Sequence, residues 1–503
     1  MFNLFRGKPP RAIANLKEIR GILDKIIPSA NSIKALEELS GWLGSVTAAA
    51  TLASDVRGLA LCMVDEAAQD HVRALTRNYL DVDAGRLPRQ QEPRLWTAIH
   101  GYWERAAAAF GACVEAHAVG EKGADGYGPS IALLNARALR AVMEQLHWQH
   151  MRHGPLDKNL WQFAALAYQY AETGQYMHHR VTMHSGSLGD STPEQEFVRG
   201  MMLSASSPEG LLPAQIDIAE RLIAHFSPTI GLTREQTQDY AYCIDLANGK
   251  PPQRTTRLPQ PSPTLRFFDA ARAHAQLREL TKAIEASGTI PGTVNLGRPC
   301  DPAQVLNVSR WLALQWSNNP PVRRQARHRI RSGLTIMPGL DGVLGALGVH
   351  GGANTITEEW IAENVNAGGF GAAVPRIGEW LKVGCLIALR QEADTQWQAG
   401  IVRRLSRNSP HSGSVGIQTL ARDMAAITVR GANAAPVGES GVLLDPRELS
   451  NAPEARLLLR NGLARIGQNL QISHGGKPCT LTPRTILEAG AGYEVVRVTV
   501  TPR

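Results

Sequence analysis

The stretch NGKPPQRTTRLPQPSPT, residues 248–264, holds five prolines and separates two patterns of apolar residues. Proline lacks a backbone N–H and fixes φ, so no helix or central strand runs through such a segment. Upstream, apolar residues recur at helical spacing: Leu36, Leu39 and Leu43 behind Asn31 and Ser32; Leu95, Ile99, Tyr102 and Ala106; Leu139, Val142 and Leu146; and the stripe Ile216, Ala219, Leu222, Ile223 and Phe226. The phrase STPEQEF marks a helix start, with Thr192 as cap, Pro193 in the first turn, and Glu194 and Glu196 at the positive end of the helix. These signals predict an all-helical domain over residues 1–250, built of antiparallel hairpins. A proline-rich linker and helical connector follow over 251–319, and the last helix there opens at Asp301 and Pro302.

Beyond Arg323 the period changes from helical to two. Arg327–Ile336, Trp380–Leu389, Trp397–Leu405 and Ser414–Leu420 alternate, with Gly and Asn clusters between them. The tail keeps that habit in ARLLL, LQIS and YEVVRVTV, broken by NG, HGG and GAG. Short strands joined by tight turns predict one or two small β-barrels, so the fold class is α+β multidomain. At 503 residues the chain has room for two to four domains, and 43% apolar against 19% charged residues is a globular balance. The net charge of +8 permits an anionic ligand without requiring nucleic acid. The six cysteines are scattered with no CxxC pair, which indicates neither a zinc site nor a disulfide framework. The opening MFNLFRGKPPRAIANL has no long apolar core, and no later run nears the ~18 apolar residues of a membrane span. A cytoplasmic protein without a membrane span is expected.

Chemistry concentrates in VRRQARHRIRSG, residues 322–333, where Arg323, Arg324, Arg327, Arg329 and Arg331 crowd together with His328 and no carboxylate. A basic run alone is usually a solvated face. This one is followed by ENVNAGGFGA, residues 363–372, in which Asn364, Asn366 and Gly369 are spaced as NxNxxG.

Together the two stretches resemble the paired signatures of the PilZ domain, a bacterial receptor module for cyclic di-GMP. That family carries RxxxR before its first barrel strand and D/NxSxxG on later strands. Arg323 and Arg327 fit the first signature, and Asn364 and Gly369 fit the second, with Asn366 where the family usually has serine. The resemblance covers residues 320–430. It implies a PilZ-like β-barrel there, a C-terminal β-rich extension over 431–503, and an N-terminal helical domain of the kind joined to such barrels. It also implies cyclic di-GMP as ligand, with Arg323, Arg324, Arg327, Asn364, Asn366 and Gly369 as its contacts. The chemistry agrees: a guanidinium fork chelates a phosphate or the O6/N7 edge of guanine, and its face stacks on the base. Arg329 and Arg331 alternate around Ile330, are expected on one strand face, and are secondary candidates.

Other features carry less. RRLSR (Arg403, Arg404, Arg407) also spells RxxxR, but it sits in a strand and reads as exposed charge, with at most a helper role at a phosphate. GGFGAAV lacks the last glycine of a dinucleotide fingerprint, and the glycine-rich stretch 339–352 lacks GK[ST] and reads as a barrel loop. His147, His150 and His153 have no evident acidic partner, so no metal and no cofactor are expected. No nucleophile, acid–base pair or cyclic di-GMP-metabolising signature is present. The expected function is therefore a non-enzymatic cyclic di-GMP receptor that signals through its helical domain to a protein partner. The alternative is a protein-interaction scaffold with a degenerate barrel. RNA binding ranks below both, because the basic run contains no aromatic residue.

Overall fold

The computed structural model describes residues 15–502 apart from 28, 185–188, 236–240, 256–258, 318–326, 350–355, 432–437, 447–453 and 475–476. They fall into two bodies. The first runs to residue 322 without 153–155 and 209–212; the second holds those two short segments and everything from residue 323 on.

In the first body the helices are α1 (Leu16–Ile26), α2 (Ser32–Ala48), α3 (Ser54–Asp83), α4 (Glu92–Ala118), α5 (Ile131–Met151), α6 (Asn159–Thr173), α7 (Pro193–Ala205), α8 (Pro213–Phe226), α9 (Ala271–Ser287) and α10 (Pro302–Trp316). Their ends are set by local chemistry. Asn31 Oδ1 accepts from Lys34 N at 3.1 Å, Thr192 Oγ1 from Gln195 N at 3.1 Å, and Asp301 Oδ1 from Ala303 N at 3.0 Å. Helix α4 packs on α2, α3 and α5, while α5 also meets α6, α7 and α8. Helix α5 is thereby buried nearly all round, polar residues Asn135, Arg137, Gln145 and His147 included.

Short strands join the helices in this body. They are β1 (Val181–Thr182), β2 (Asp190–Ser191), β3 (Tyr242–Asp245), β4 (Gln253–Arg254) and β5 (Leu265–Phe268). The last three form a sheet of order β4-β3-β5, so the proline-rich segment and the two helices after it are part of the first body. All four residues of β5 are buried, which leaves no alternation for sequence reading to find.

Ion pairs hold the helices together inside. Asp65 accepts from Tyr102, from Arg137 at 2.9 Å and from His184 at 2.8 Å. Burial alone would push its carboxyl up, but His184 and Arg137 outweigh that and hold it well below the usual carboxylate range.

The second body contains two barrels. The first is made of β6 (His328–Pro338), β7 (Glu358–Asn366), β8 (Gly369–Val374), β9 (Leu386–Gln391), β10 (Gln398–Arg407) and β11 (Gly413–Ala421), with helix α11 (Gly339–Ala346) after β6. The second is made of β12 (Met424–Gly431), β13 (Glu439–Leu444), β14 (Glu454–Leu459), β15 (Leu470–His474), β16 (Lys477–Gly490) and β17 (Tyr493–Pro502). Both close, and every pairing is antiparallel. Numbering the strands of each barrel from one to six, both rings read 1-2-3-6-5-4. The fifth strand carries a bulge in each, between Val402 and Arg404 and between Pro483 and Thr485. The C-terminal β-rich extension is thus a second barrel of the same topology as the first.

Each barrel has its own core. Leu334, Trp360, Phe370, Val402, Val415 and Ile417 fill the first, and Ile427, Leu443, Leu457, Leu481 and Val496 the second. A third cluster, Leu340, Val343, Leu344, Ile401, Leu458, Tyr493 and Val495, packs outer faces of the two barrels against α11. Tyr493 Oη donates to Gly384 O at 2.9 Å across that seam, and Arg403 chelates Glu488 at 2.9 and 2.7 Å.

Two expectations change here. The glycine-rich 339–352 stretch forms α11 over its first part. A Cβ at Gly342 would come within 2.8 Å of the Met337 backbone, so glycine serves close helix–strand approach there, and not loop freedom. The strand expected from Trp380 begins only at Leu386. Trp380 instead lies in a turn, where its ring stacks on Trp360 with centroids 5.9 Å apart, and Glu358 accepts from both indoles.

Among the described residues, no helix is long and apolar enough to cross a membrane.

Candidate functional site

The cross-strand register of the first barrel puts Arg329, Asn364, Gly371, Gly416 and Arg404 in one row, on β6, β7, β8, β11 and β10 respectively. Strands lie about 4.8 Å apart, so Asn364 and Arg404 stand about 14 Å from each other with two bare glycines between them. Phe370, Ala372, Val415 and Ile417 point into the core, which leaves Gly371 and Gly416 on the outer face. The result is a trough with a backbone floor. Its cavity of about 220 Å³ is lined by Arg327, Asn364, Gly371, Arg404, Ser406, Ser414 and Gly416, with Glu209 and Glu363.

Gly371 makes room for a neighbour, whereas a Cβ at Gly416 would meet only ordinary contacts. A Cβ on Gly371 would lie 2.6 Å from both Oδ1 and Nδ2 of Asn364, so the carboxamide lies flat over that residue. The stem of Arg404 runs past Gly416 at 3.5–3.8 Å from the place of a Cβ. Asn364 Oδ1 is buried and meets no hydrogen-bond donor among the described residues. An orphaned acceptor at the wall of a cavity is a costly feature that a ligand donor relieves.

The expected site residues separate in the structure. Arg323 and Arg324 lie outside the described residues. Arg327 and Asn364 line the trough together. Asn366 shares the face of Asn364, but its Oδ1 accepts from Gly368 N at 2.9 Å and so braces the β7–β8 turn. Gly369 is buried at φ +149°, and a Cβ there would come within 1.9 Å of Ile417 O, so this glycine lets two strands approach. Arg329 and Arg331 are both exposed while Ile330 between them packs against the barrel core, although the register to β7 shifts between Arg329 and Ser332.

The second RxxxR run divides in the same way. Arg403 is taken by Gln418 at 2.7 Å and by Glu488 of the second barrel. The Arg407 guanidinium donates to Pro410 O at 3.1 Å. Arg404 alone reaches the trough, where its Nε stands 4.0 Å from Glu209 Oε1. Strand parity could not have singled it out, because the bulge beside it breaks the parity.

The first body has a larger cavity, of about 680 Å³, whose lining includes many charged side chains. Glu196 is clamped there by Arg140 and Arg199, Arg199 also reaches Glu220, and Asp217 is held by Arg221 and Arg298, which ties α5, α7, α8 and the 295–298 segment together. Burial pushes Glu196 up, yet the two arginines bring its carboxyl down to about 2. His147 belongs to this set through Glu144 at 3.4 Å. Among the described residues no group of His, Cys, Asp or Glu is arranged to hold a metal ion.

A helical body followed by two closed barrels in a PilZ-like arrangement defines the class: a multidomain α+β protein with its candidate site on the outside of the first barrel. The helical part is more specific. Residues 17–237 match the family model described as the N-terminal domain of the cyclic-di-GMP receptor FimW. No curated protein and no solved structure matches the chain.

Proposed function

We propose that this protein is a non-enzymatic cytoplasmic receptor for cyclic di-GMP, that the nucleotide lies in the trough of the first barrel, and that the helical domain passes the signal to a protein partner. One observation carries the reading: the register row that sets Asn364, with its orphaned oxygen, beside a two-glycine floor and within one cavity with Arg327. The family description of residues 17–237 points the same way.

Cyclic di-GMP offers two phosphodiester charges and two guanines. Asn364 Oδ1 can accept from the N1–H of a guanine edge while Nδ2 donates to O6. Arg327, at the entry to β6, can chelate a phosphate or the O6/N7 edge, and Arg323 and Arg324 extend the same arm in sequence. Asn366 acts by holding the β7–β8 turn that aims Asn364, and Gly369 by letting that turn seat on β11.

Calorimetric titration of the full chain tests the proposal. Saturable binding of cyclic di-GMP is expected, with GMP far weaker. Arg327→Ala should lose about one to two decades of affinity, the equivalent of ~1.5–3 kcal/mol for a charge-assisted hydrogen bond. Equal binding of GMP, or an unaltered Arg327→Ala titration, contradicts the proposal and leaves the scaffold reading.

A further inference from the structure

We propose that Arg404 is the second anion-holding arm of the trough and that Glu209 is its resident counter-charge, displaced when a ligand phosphate arrives. The inference rests on the cyclic di-GMP reading of the same cavity and adds a residue and a switch to it.

The register supplies the first reason. Arg404 closes the row Asn364–Gly371–Gly416–Arg404, so a ligand in this cavity meets the carboxamide seated over Gly371 and the guanidinium whose stem passes Gly416. Ser406 and Ser414 are cross-strand partners, each two residues from Arg404 or Gly416, and both line the cavity. Their hydroxyls can donate to the same phosphate oxygens that Arg404 would hold. A planar guanidinium flanked by two hydroxyls is a phosphate-binding set.

Charge supplies the second. Arg327, Arg404, Glu209 and Glu363 line the cavity together, two cationic and two anionic side chains, so the wall is neutral as it stands. A dianion added without any departure would leave it two charges negative. Glu209 is the carboxylate placed to leave. Its Oε1 is 4.0 Å from Arg404 Nε, which is ion-pair distance but beyond a hydrogen bond. Arg404 and Glu209 side chains are 54% and 36% exposed, so water screens the pair and little holds it. A phosphate in bidentate contact replaces this loose pairing with a stronger one. Glu209 belongs to the 209–212 segment of this body, far upstream of the barrel in sequence. Its displacement therefore couples occupancy of the trough to a change at that segment, and the same carboxylate lowers the affinity of the empty site.

A double-mutant cycle in the full chain, read by calorimetry with cyclic di-GMP at fixed salt, tests this. Arg404→Ala should weaken binding about tenfold, the loss of one charged hydrogen bond at a half-exposed site. Glu209→Gln should tighten binding about two- to fivefold in the wild-type background, the range of an exposed ion pair, and distinctly less once Arg404 is alanine, where only the carboxylate's repulsion of the ligand remains. Both side chains are solvent-exposed, and unchanged melting of each variant shows that it folds. A wild-type chain that fails to bind overturns the receptor reading and takes this inference with it. A wild-type chain that binds, with Arg404→Ala neutral or Glu209→Gln equally effective in both backgrounds, overturns this inference alone.

Discussion

Gly371→Ala separates the site from the fold. The added Cβ would lie 2.6 Å from Oδ1 and Nδ2 of Asn364, well inside van der Waals contact. Relief asks for a carboxamide shift of roughly 1 Å, which a turn about its own side-chain bonds supplies at a cost of ~0.5–1.5 kcal/mol. Gly371 has none of the left-handed backbone geometry of Gly369, so the barrel itself is not strained. The chain should therefore melt within a few degrees of wild type, since about 1 kcal/mol moves a domain of this size by ~2–4 °C. Binding should suffer more. Two hydrogen bonds to a guanine edge, at ~0.5–1.5 kcal/mol each, are lost when the carboxamide turns away, so affinity should fall about tenfold. Calorimetry with cyclic di-GMP beside differential scanning calorimetry reads both numbers from one preparation. Unchanged affinity in a folded Gly371→Ala chain would refute the placement of Asn364 against the nucleotide.

Further outcomes follow from the same geometry. Gly369→Ala should behave oppositely and destabilise the barrel by ~2 kcal/mol or more, seen as a lowered melting temperature, because a backbone oxygen stands 1.9 Å from the new Cβ and φ is +149°. Arg403→Ala should leave cyclic di-GMP affinity unaltered and lower stability by up to about 1 kcal/mol, because its guanidinium chelates Glu488 at the half-exposed seam between the barrels. Acid should weaken the first body through Glu196. Its carboxyl is depressed to about 2 from 4.5, so its stabilisation is present above the ordinary carboxylate range and is lost as pH falls from there toward 2; Glu196→Gln should flatten that part of a stability-versus-pH curve.

Local grammar made much of the fold legible. Thr192 with Pro193 and Asp301 with Pro302 announce helix starts that the backbone adopts, because a side-chain cap and a pre-set φ act within a few residues. Alternation located β6, β10 and β11 and overlapped β9 for the same reason, while it left β7, β8, β12, β13 and β16 unmarked. Closure was not legible: the pairing of β12 with β15 and of β14 with β17 joins strands far apart in sequence, and no period records it. Glycine misled twice. Gly342 reads as loop and serves helix α11, while Gly371, without a place in the NxNxxG spacing, is the residue that makes space for Asn364. The arginines of β10 show the limit most plainly. Arg403, Arg404 and Arg407 look alike in sequence, yet the bulge after Val402 sends Arg403 to the seam and leaves Arg404 at the trough.

A crystal structure of the full chain with cyclic di-GMP tests the central claim most directly. The account predicts the nucleotide on the outer face of the first barrel, over Gly371 and Gly416, with one guanine edge on Asn364 and a phosphate held by arginine. Nucleotide bound elsewhere, such as in the charged cavity of the first body, with the trough empty and Asn364 Oδ1 still unpaired, would contradict it.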